Sequence, residues 1–280
     1  MTSSDQLQCG RFRLALDGRP LVMGVLNVTP DSFSDGGRFS SLDAALSRAE
    51  QMIAEEVDII DIGGESSRPG AESLSLEQEL ERVMPLVYAL RDCGKPLSID
   101  TYKPQVMREV LAAGADMIND INGFRSEGAL EAVRASDCAL CIMHMLGNPA
   151  TMQLEPHYAD VNGEVRDFLL ARAAACIQAG IAQDRICIDP GFGFGKTVEH
   201  NLDLLGNLGQ LAATGFPVLA GLSRKSAIGA VTGRPVDQRL AGSLAAMLAA
   251  VARGARIVRV HDVAASVDAL KVWQAVAGKQ

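Results

Sequence analysis

Along this chain of 280 residues, polar and charged side chains recur where short apolar runs end: Asn27, Asp61, Asp100, Asn119, His144, Asp189, Ser223 with Lys225 just beyond, and Arg259 with His261. Any one of them, taken alone, reads more simply as a helix N-cap or a solvated rim group. All of them together are harder to explain that way, because an apolar opening would be less costly to build than one holding three acids and several cations. Asp100, Asn119 and Asp189 supply acceptors and an amide that both donates and accepts. That set suits a flat heterocycle with several N–H groups, such as an aminopyrimidine edge, and Lys225 adds a donor for a ring carbonyl or nitrogen. Arg259 and His261 are two apart and so point to one side. With Arg68 from the loop after the second run they make an anion site, in which arginine offers a fixed fork of donors and histidine a donor whose charge responds to pH. Pairing of Arg68 and Arg259 with surface acids is the competing reading.

Asn27 ends the first run in N-V-T-P-D-S-F-S-D-G-G. Its amide oxygen is a hard ligand suited to Mg2+, an ion that keeps most of its waters and is completed by substrate phosphate. The loop beyond, with Asp31, Ser32, Ser34, Asp35 and paired glycines, is either a lid over substrate or an ordinary turn-rich loop. In D-P-G-F-G-F-G-K-T, the spacing of Gly191, Gly193 and Gly195 fits neither a P-loop nor a dinucleotide fingerprint. These glycines let Phe192 or Phe194 lie across a flat ligand, unless both rings are core. Cys138 and Cys141 form a C-x-x-C, but no second pair completes a zinc set, and packing accounts for them better than metal or redox chemistry.

Bringing these groups to one opening is the task of the elements between them. Runs rich in Val, Ile and Leu at 20–28, 58–63, 96–101, 117–121, 139–145, 185–190, 217–223 and 256–262 read as eight strands buried on both faces. Amphipathic stretches at 41–56, 75–93, 103–114, 128–137, 162–180, 197–214, 236–254 and 264–278 read as eight helices. Several stop at a glycine (Gly94, Gly114, Gly180, Gly215), as a left-handed C-cap requires. The repeated unit is βα. Eight parallel strands with right-handed crossovers close into a barrel without sheet edges, so the expectation is α/β, a (β/α)8 TIM barrel in a single domain over 1–280. An open doubly wound sheet would leave two edges, and no clear G-x-G-x-x-G follows the first strand. The irregular stretches 29–40, 65–73, 147–160 and 191–196 all follow strands, on the face where barrel enzymes place their chemistry.

With 27 glycines, 48% hydrophobic and 21% charged residues, the chain has the make-up of a large-cored globular protein rather than a disordered one. The balance of 26 bases against 34 acids, net −8, without a basic cluster interleaved with aromatics, argues against general nucleic-acid binding. The longest uncharged apolar stretch, 240–252, falls short of the roughly 18 to 20 residues that cross a bilayer. The first residues lack a basic start and an apolar core, and six cysteines over this length read as reduced thiols. The expectation is a cytoplasmic protein acting on small molecules, with neither membrane nor nucleic acid as partner.

Seven segments taken together resemble the dihydropteroate synthase family: N-V-T-P-D-S-F-S-D-G-G (27–37), D-I-G-G-E-S-S-R-P-G (61–70), S-I-D-T-Y-K (98–103), I-N-D-I (118–121), D-P-G-F-G-F-G-K (189–196), G-L-S-R-K-S (221–226) and R-V-H-D-V (259–263). They run in order through nearly the whole chain. The resemblance implies a barrel enzyme that joins 6-hydroxymethyl-7,8-dihydropterin pyrophosphate to 4-aminobenzoate in folate biosynthesis, a homodimer and sulfonamide target. It also implies that Asp100, Asn119, Asp189 and Lys225 hold the pterin, Arg259 and His261 the pyrophosphate, and Asn27 magnesium. Ser67, Arg68, Phe194 and Ser223 would border the aminobenzoate pocket. The family more often has threonine where this chain has Ser67, which keeps the hydroxyl and loses a methyl.

On this reading Asp100, Lys225, Arg259 and His261 carry the reaction. The cations meet charge growing on departing pyrophosphate, Asp100 meets positive charge spreading into the pterin, and bond breaking runs ahead of bond making. The aromatic amine is neutral at pH 7 and attacks without a dedicated base. Alternatives remain: a pterin-binding paralogue without turnover, a pterin-dependent methyltransferase domain, or an aldolase with Lys225 as Schiff-base lysine. The nearly all-apolar 236–254 helix is compatible with a dimer interface and equally with deep burial.

Overall fold

The structure is a computed structural model that describes residues 5–28, 38–66 (side chains from 42), 73–147, 152 and 156–277. A short antiparallel hairpin, β1 (Gln6–Cys9) and β2 (Phe12–Ala15), leads into β3 (Leu21–Asn27). Then α1 (Arg38–Ala54), β4 (Ile59–Gly63), α2 (Leu76–Leu90), β5 (Leu97–Asp100), α3 (Pro104–Ala113), β6 (Met117–Asp120), α4 (Ala129–Arg134) and β7 (Ala139–Met143) alternate. The second half runs α5 (Val161–Gln178), β8 (Ile186–Asp189), α6 (Val198–Gly206), α7 (Gly209–Ala212), β9 (Val218–Ala220), α8 (Ser226–Thr232), α9 (Leu240–Val251), β10 (Ala255–Val260) and α10 (Val263–Ala277). Strands β3 to β10 are all parallel neighbours and β10 returns to β3, so the sheet closes into the expected eight-stranded barrel.

Each strand is buried on both faces because inward and outward positions meet different apolar partners. The outward residues, among them Val22, Ile60, Ile99, Ile118, Ile142 and Val258, join the helices in one large core. The inward residues of the lower barrel, Met23, Ile59, Met117, Cys141, Cys187, Leu219 and Ile257, pack in a second cluster that also takes Leu7, Cys9 and Leu16. The hairpin thus plugs the N-terminal end of the barrel. It is tied there by Gly10 N–H to Asp137 O (2.9 Å) and by Arg11, whose Nε meets Asp116 Oδ1 at 3.0 Å. The hairpin has a sequence signal in its period-two alternation of Leu7 and Cys9 with Gln6 and Gln8, but at four residues per strand it is easily passed over.

The helices follow local chemistry. In α2, Ser75 accepts the Gln78 N–H at 3.2 Å while Gln78 Oε1 accepts the Ser75 N–H at 2.9 Å, a capping box; Val83, Leu86, Val87 and Leu90 bury its inner face. The expected 197–214 helix is split into α6 and α7 at Asn207, between Gly206 and Gly209, which favour a break. The expected 236–254 helix is shortened: Pro235 opens a 3-10 turn over Val236–Gln238 before α9 begins. It is not deeply buried all round, since Ser243, Met247 and Ala250 face inward while Leu240 and Val236 are exposed. Among the described residues, no helix is long and apolar enough to cross a membrane.

Candidate active site

One inward position above the apolar floor, the strands change chemistry. Ile59 is succeeded by Asp61, Met117 by Asn119, Cys187 by Asp189 and Ile257 by Arg259, and Asp100 ends β5 beside Asn119. Arg259 spans the barrel, its Nε donating to Asp61 Oδ2 at 2.6 Å and its Nη2 to Asp100 Oδ2 at 2.9 Å. Asp61 is fully buried and also accepts from Ser98 Oγ at 2.6 Å. Asn119 turns Nδ2 toward Asp61 Oδ2 at 3.4 Å, which leaves its Oδ1 buried without a partner. Asp189 accepts the Gly191 N–H at 2.7 Å.

The turn after β8 brings in the next groups. Gly191 has φ +68°, and a Cβ there would lie 1.9 Å from His144 O, so the turn can press against the end of β7 only as glycine. Gly193 leaves room for the stem of Lys225, whose Cδ would be 3.0 Å from a Cβ at that position. The Lys225 ammonium donates to Phe192 O and lies 4.5 Å from the centre of the Phe194 ring. This decides between the two phenylalanines. Phe192 is core, and Phe194 borders the mouth with Ile121, Met143, Met145 and Met152, an apolar wall for a flat ring.

Ser223 and His261 meet at the ends of β9 and β10. Ser223 Oγ accepts the His261 N–H at 3.2 Å and lies 3.0 Å from its Nδ1. Ser223 thus holds the ring through Nδ1 and leaves Nε2 as the ring nitrogen for a ligand. Asn27 Oδ1 lies where a Cβ on Gly63 would be 3.2 Å away. Ser67 and Arg68 lie outside the described residues, as does the loop bearing Asp31, Ser32, Ser34 and Asp35. Of the residues singled out at the strand ends, His144 is the exception. It falls on the outward parity of β7, with Leu140 and Ile142, and packs edge-on against Phe168 at 4.9 Å. Met143 and Met145 take the inward places instead.

Burial dominates the electrostatics. It pushes Asp100 up to about 7, against the pull of Arg259 and with help from Asp61, and it raises Asp189 against Lys225. It lowers Lys225 to about 8 despite Asp189. Against the same cost of burial, Asp61 and Asp100 hold Arg259 above the ordinary arginine value. His261 is pushed down to about 4 by burial and then by Arg259 and Arg224, so without a ligand it is a neutral ring at pH 7, not the pH-responsive cation expected from its type.

Several supporting residues carried little signal in the sequence. Lys196 is buried and donates to Gly191 O and Phe194 O, both at 3.0 Å, and meets His144 Nδ1 at 2.9 Å, stitching the turn after β8 to the end of β7. Glu65 accepts from Leu74 N at 3.1 Å, Tyr102 Oη at 2.8 Å and the Lys103 ammonium, so it joins both stems of the 67–72 segment to the end of β5. The inward parity of β6 and β7 could have pointed to Ile121, Met143 and Met145; for Lys196 and Glu65 no such pattern exists.

Residues 23–261 match the family model described as pterin binding enzyme. Dihydropteroate synthase of Neisseria meningitidis serogroup B is 52% identical over 276 residues, covering 96% of each chain. The chain belongs to the dihydropteroate synthase family. Among solved synthases, that of Burkholderia cenocepacia complexed with 7,8-dihydropteroate is 59% identical, covers 98% of this chain and 97% of its own, and superposes with a TM-score of 0.90. The Xanthomonas albilineans synthase with 4-aminobenzoic acid is 52% identical over 98% of both chains, with a TM-score of 0.92.

Proposed function

We propose that the chain condenses 6-hydroxymethyl-7,8-dihydropterin pyrophosphate with 4-aminobenzoate, giving 7,8-dihydropteroate and pyrophosphate. The observation that carries this reading is the convergence of Asp100, Asn119, Asp189 and Lys225 with Arg259 and His261 at one mouth of a barrel of this family. Asp100, Asp189 and the open Asn119 Oδ1 accept the pterin N–H groups, Lys225 donates to the ring, and Phe194 with Met143 and Met145 covers its face. The bond from the exocyclic methylene to the pyrophosphate oxygen breaks, and Asp100 stabilises the positive charge left on the pterin. Arg259 N–H groups not held by carboxylates meet the departing oxygens, as does His261 through Nε2 in the tautomer whose Nδ1 accepts from Ser223. The amine of aminobenzoate then forms the new C–N bond and loses a proton to solvent. By resemblance, Ser67, Arg68 and Ser223 border the second substrate.

Asn27 is the residue that would hold magnesium. Gly63 keeps the side of its Oδ1 open, with Asp100 Cβ 3.8 Å from the same position. Among the described residues no group of three or more His, Cys, Asp or Glu could hold a metal by itself, so substrate oxygens and water would complete the shell. When bound, the ion would neutralise charge on the phosphate oxygens. A second copy of the chain is the proposed partner, over exposed Val231, Val236, Leu240, Val272 and Val276 around α8, α9 and α10. The free thiols suit the reducing cytoplasm.

The test is pyrophosphate release dependent on added 4-aminobenzoate. Turnover is expected in the wild type, and Asp100→Asn should lower kcat by about 100- to 1,000-fold. Pterin binding without pyrophosphate release would instead mark a non-catalytic pterin binder, and an unchanged kcat in Asp100→Asn would remove the cation-stabilising role.

A further inference from the structure

Asp61 lies below the surface of the mouth, with no exposure to solvent. A carboxylate there must find all its partners in the protein. It finds them on three other strands: Ser98 of β5 at 2.6 Å on Oδ1, and on Oδ2 both Arg259 of β10 at 2.6 Å and Asn119 of β6 at 3.4 Å. Two of these three are residues the reaction needs.

For Asn119 the consequence is a choice between two amide orientations. With Nδ2 toward Asp61 the contact pairs a donor with an acceptor. Reversed, Asn119 Oδ1 would face a carboxylate oxygen, two acceptors in a buried space of low dielectric. Asp61 therefore settles which end of the amide faces the mouth, and that end is Oδ1, buried and without a partner. An orphaned acceptor of this kind is a place kept for a ligand N–H. For Arg259 the consequence is a fixed orientation of the fork. Nε is held by Asp61 and Nη2 by Asp100 at 2.9 Å, so the guanidinium plane is pinned at two points and its remaining N–H groups have one direction left.

We propose that Asp61 is a positioning residue of this site, which turns the oxygen of Asn119 toward the pterin and seats Arg259 for the leaving group. It touches neither substrate. The inference rests on the synthase reading above for its assay, and it goes beyond that reading in assigning a role to a residue buried behind the ligand-facing side chains.

The experiment is steady-state kinetics on the full chain for wild type, Asp61→Asn, Asn119→Ala, the double variant and Ser98→Ala. Asp61→Asn should lower kcat/KM for the pterin substrate by about 10- to 100-fold, the size of one charge-assisted hydrogen bond, with KM for 4-aminobenzoate within about twofold of wild type. Acting through Asn119, it should lose no more than about threefold further in the double variant than in the worse single one. Ser98→Ala, which loosens Asp61 without changing charge, should give a smaller loss on the pterin arm alone. Equal rises in both KM values, fully multiplicative losses, or an unchanged Asp61→Asn would overturn the proposal. If Asp61→Asn does not fold, Ser98→Ala decides, since no effect or an equal effect on both arms overturns it. If the wild type itself turns nothing over, the synthase reading fails. Equilibrium binding of a dihydropterin, read by its fluorescence, then still decides on Asp61, with about tenfold weaker binding expected in Asp61→Asn.

Discussion

The two ends of this barrel are built from the same strands and differ completely after one inward step. At the floor Ile59, Met117, Cys187 and Ile257 meet Leu7 and Cys9 of the hairpin, and water is excluded. About 6.6 Å further along each strand, the rise of two residues, the same faces carry Asp61, Asn119, Asp189 and Arg259. Charges at the floor are placed outside the barrel, in pairs such as Arg19 with Asp58 (2.6 Å) that link neighbouring loops. Charges at the mouth are placed inside it. The dry floor is what makes the mouth effective: with no water from below, Asp100, Lys225 and His261 all move away from their ordinary values, and each fixed dipole acts in a medium of low dielectric.

The contrast can be broken most severely at Arg259. Arg259→Met leaves the buried Asp61 without a counter-charge, which should cost about 3–5 kcal/mol in urea unfolding. Adding Asp61→Leu removes that buried charge and should return part of the stability without returning turnover. If the double variant is no more stable than the single one, the unpaired charge of Asp61 is not what Arg259→Met costs.

A smaller effect separates the ends by pH. The charges that act on Asp100 are those of Arg259 of β10, Asp61 of β4, Glu79 of α2, Asp120 of β6 and Lys225 after β9. With Asp100 near 7 and Lys225 near 8, kcat/KM for the pterin substrate should rise as Asp100 loses its proton and fall as Lys225 loses its charge. Each limb changes by about tenfold per pH unit. Asp100→Asn should abolish the acid limb. A profile flat from pH 6 to 9 would show that neither group titrates in the free enzyme.

Most of the barrel was legible because strand and helix periods alternate so regularly that all eight strands of the barrel lie within three residues of their expected ends. The mouth was legible at the level of residue type, less so at the level of direction. Adjacent strand residues face opposite ways, so His144 and Met143 exchange roles with a shift of one position. Pairing was out of reach. Arg259 and Asp61 are 198 residues apart, and nothing in either segment names the other as partner. The choice between Phe192 and Phe194 turns on the path of a loop with three glycines at positive φ, which no periodicity encodes.

The finest distinction lies at the floor. Leu7→Val removes one methylene from a side chain with no exposure, packed where the hairpin closes the barrel. It should cost about 1 kcal/mol in unfolding, the transfer energy of one buried CH2 with a small cavity. Because Leu7 belongs to the floor cluster and neither substrate reaches that depth, kcat and both KM values should stay at wild-type levels. The hairpin then acts only as a plug, and stability and turnover are separable along the barrel axis. A rise in KM for the pterin substrate with so small a loss of stability would mean instead that packing at the floor is transmitted through the strands to Asp61 and Asn119, and that the two ends behave as one unit.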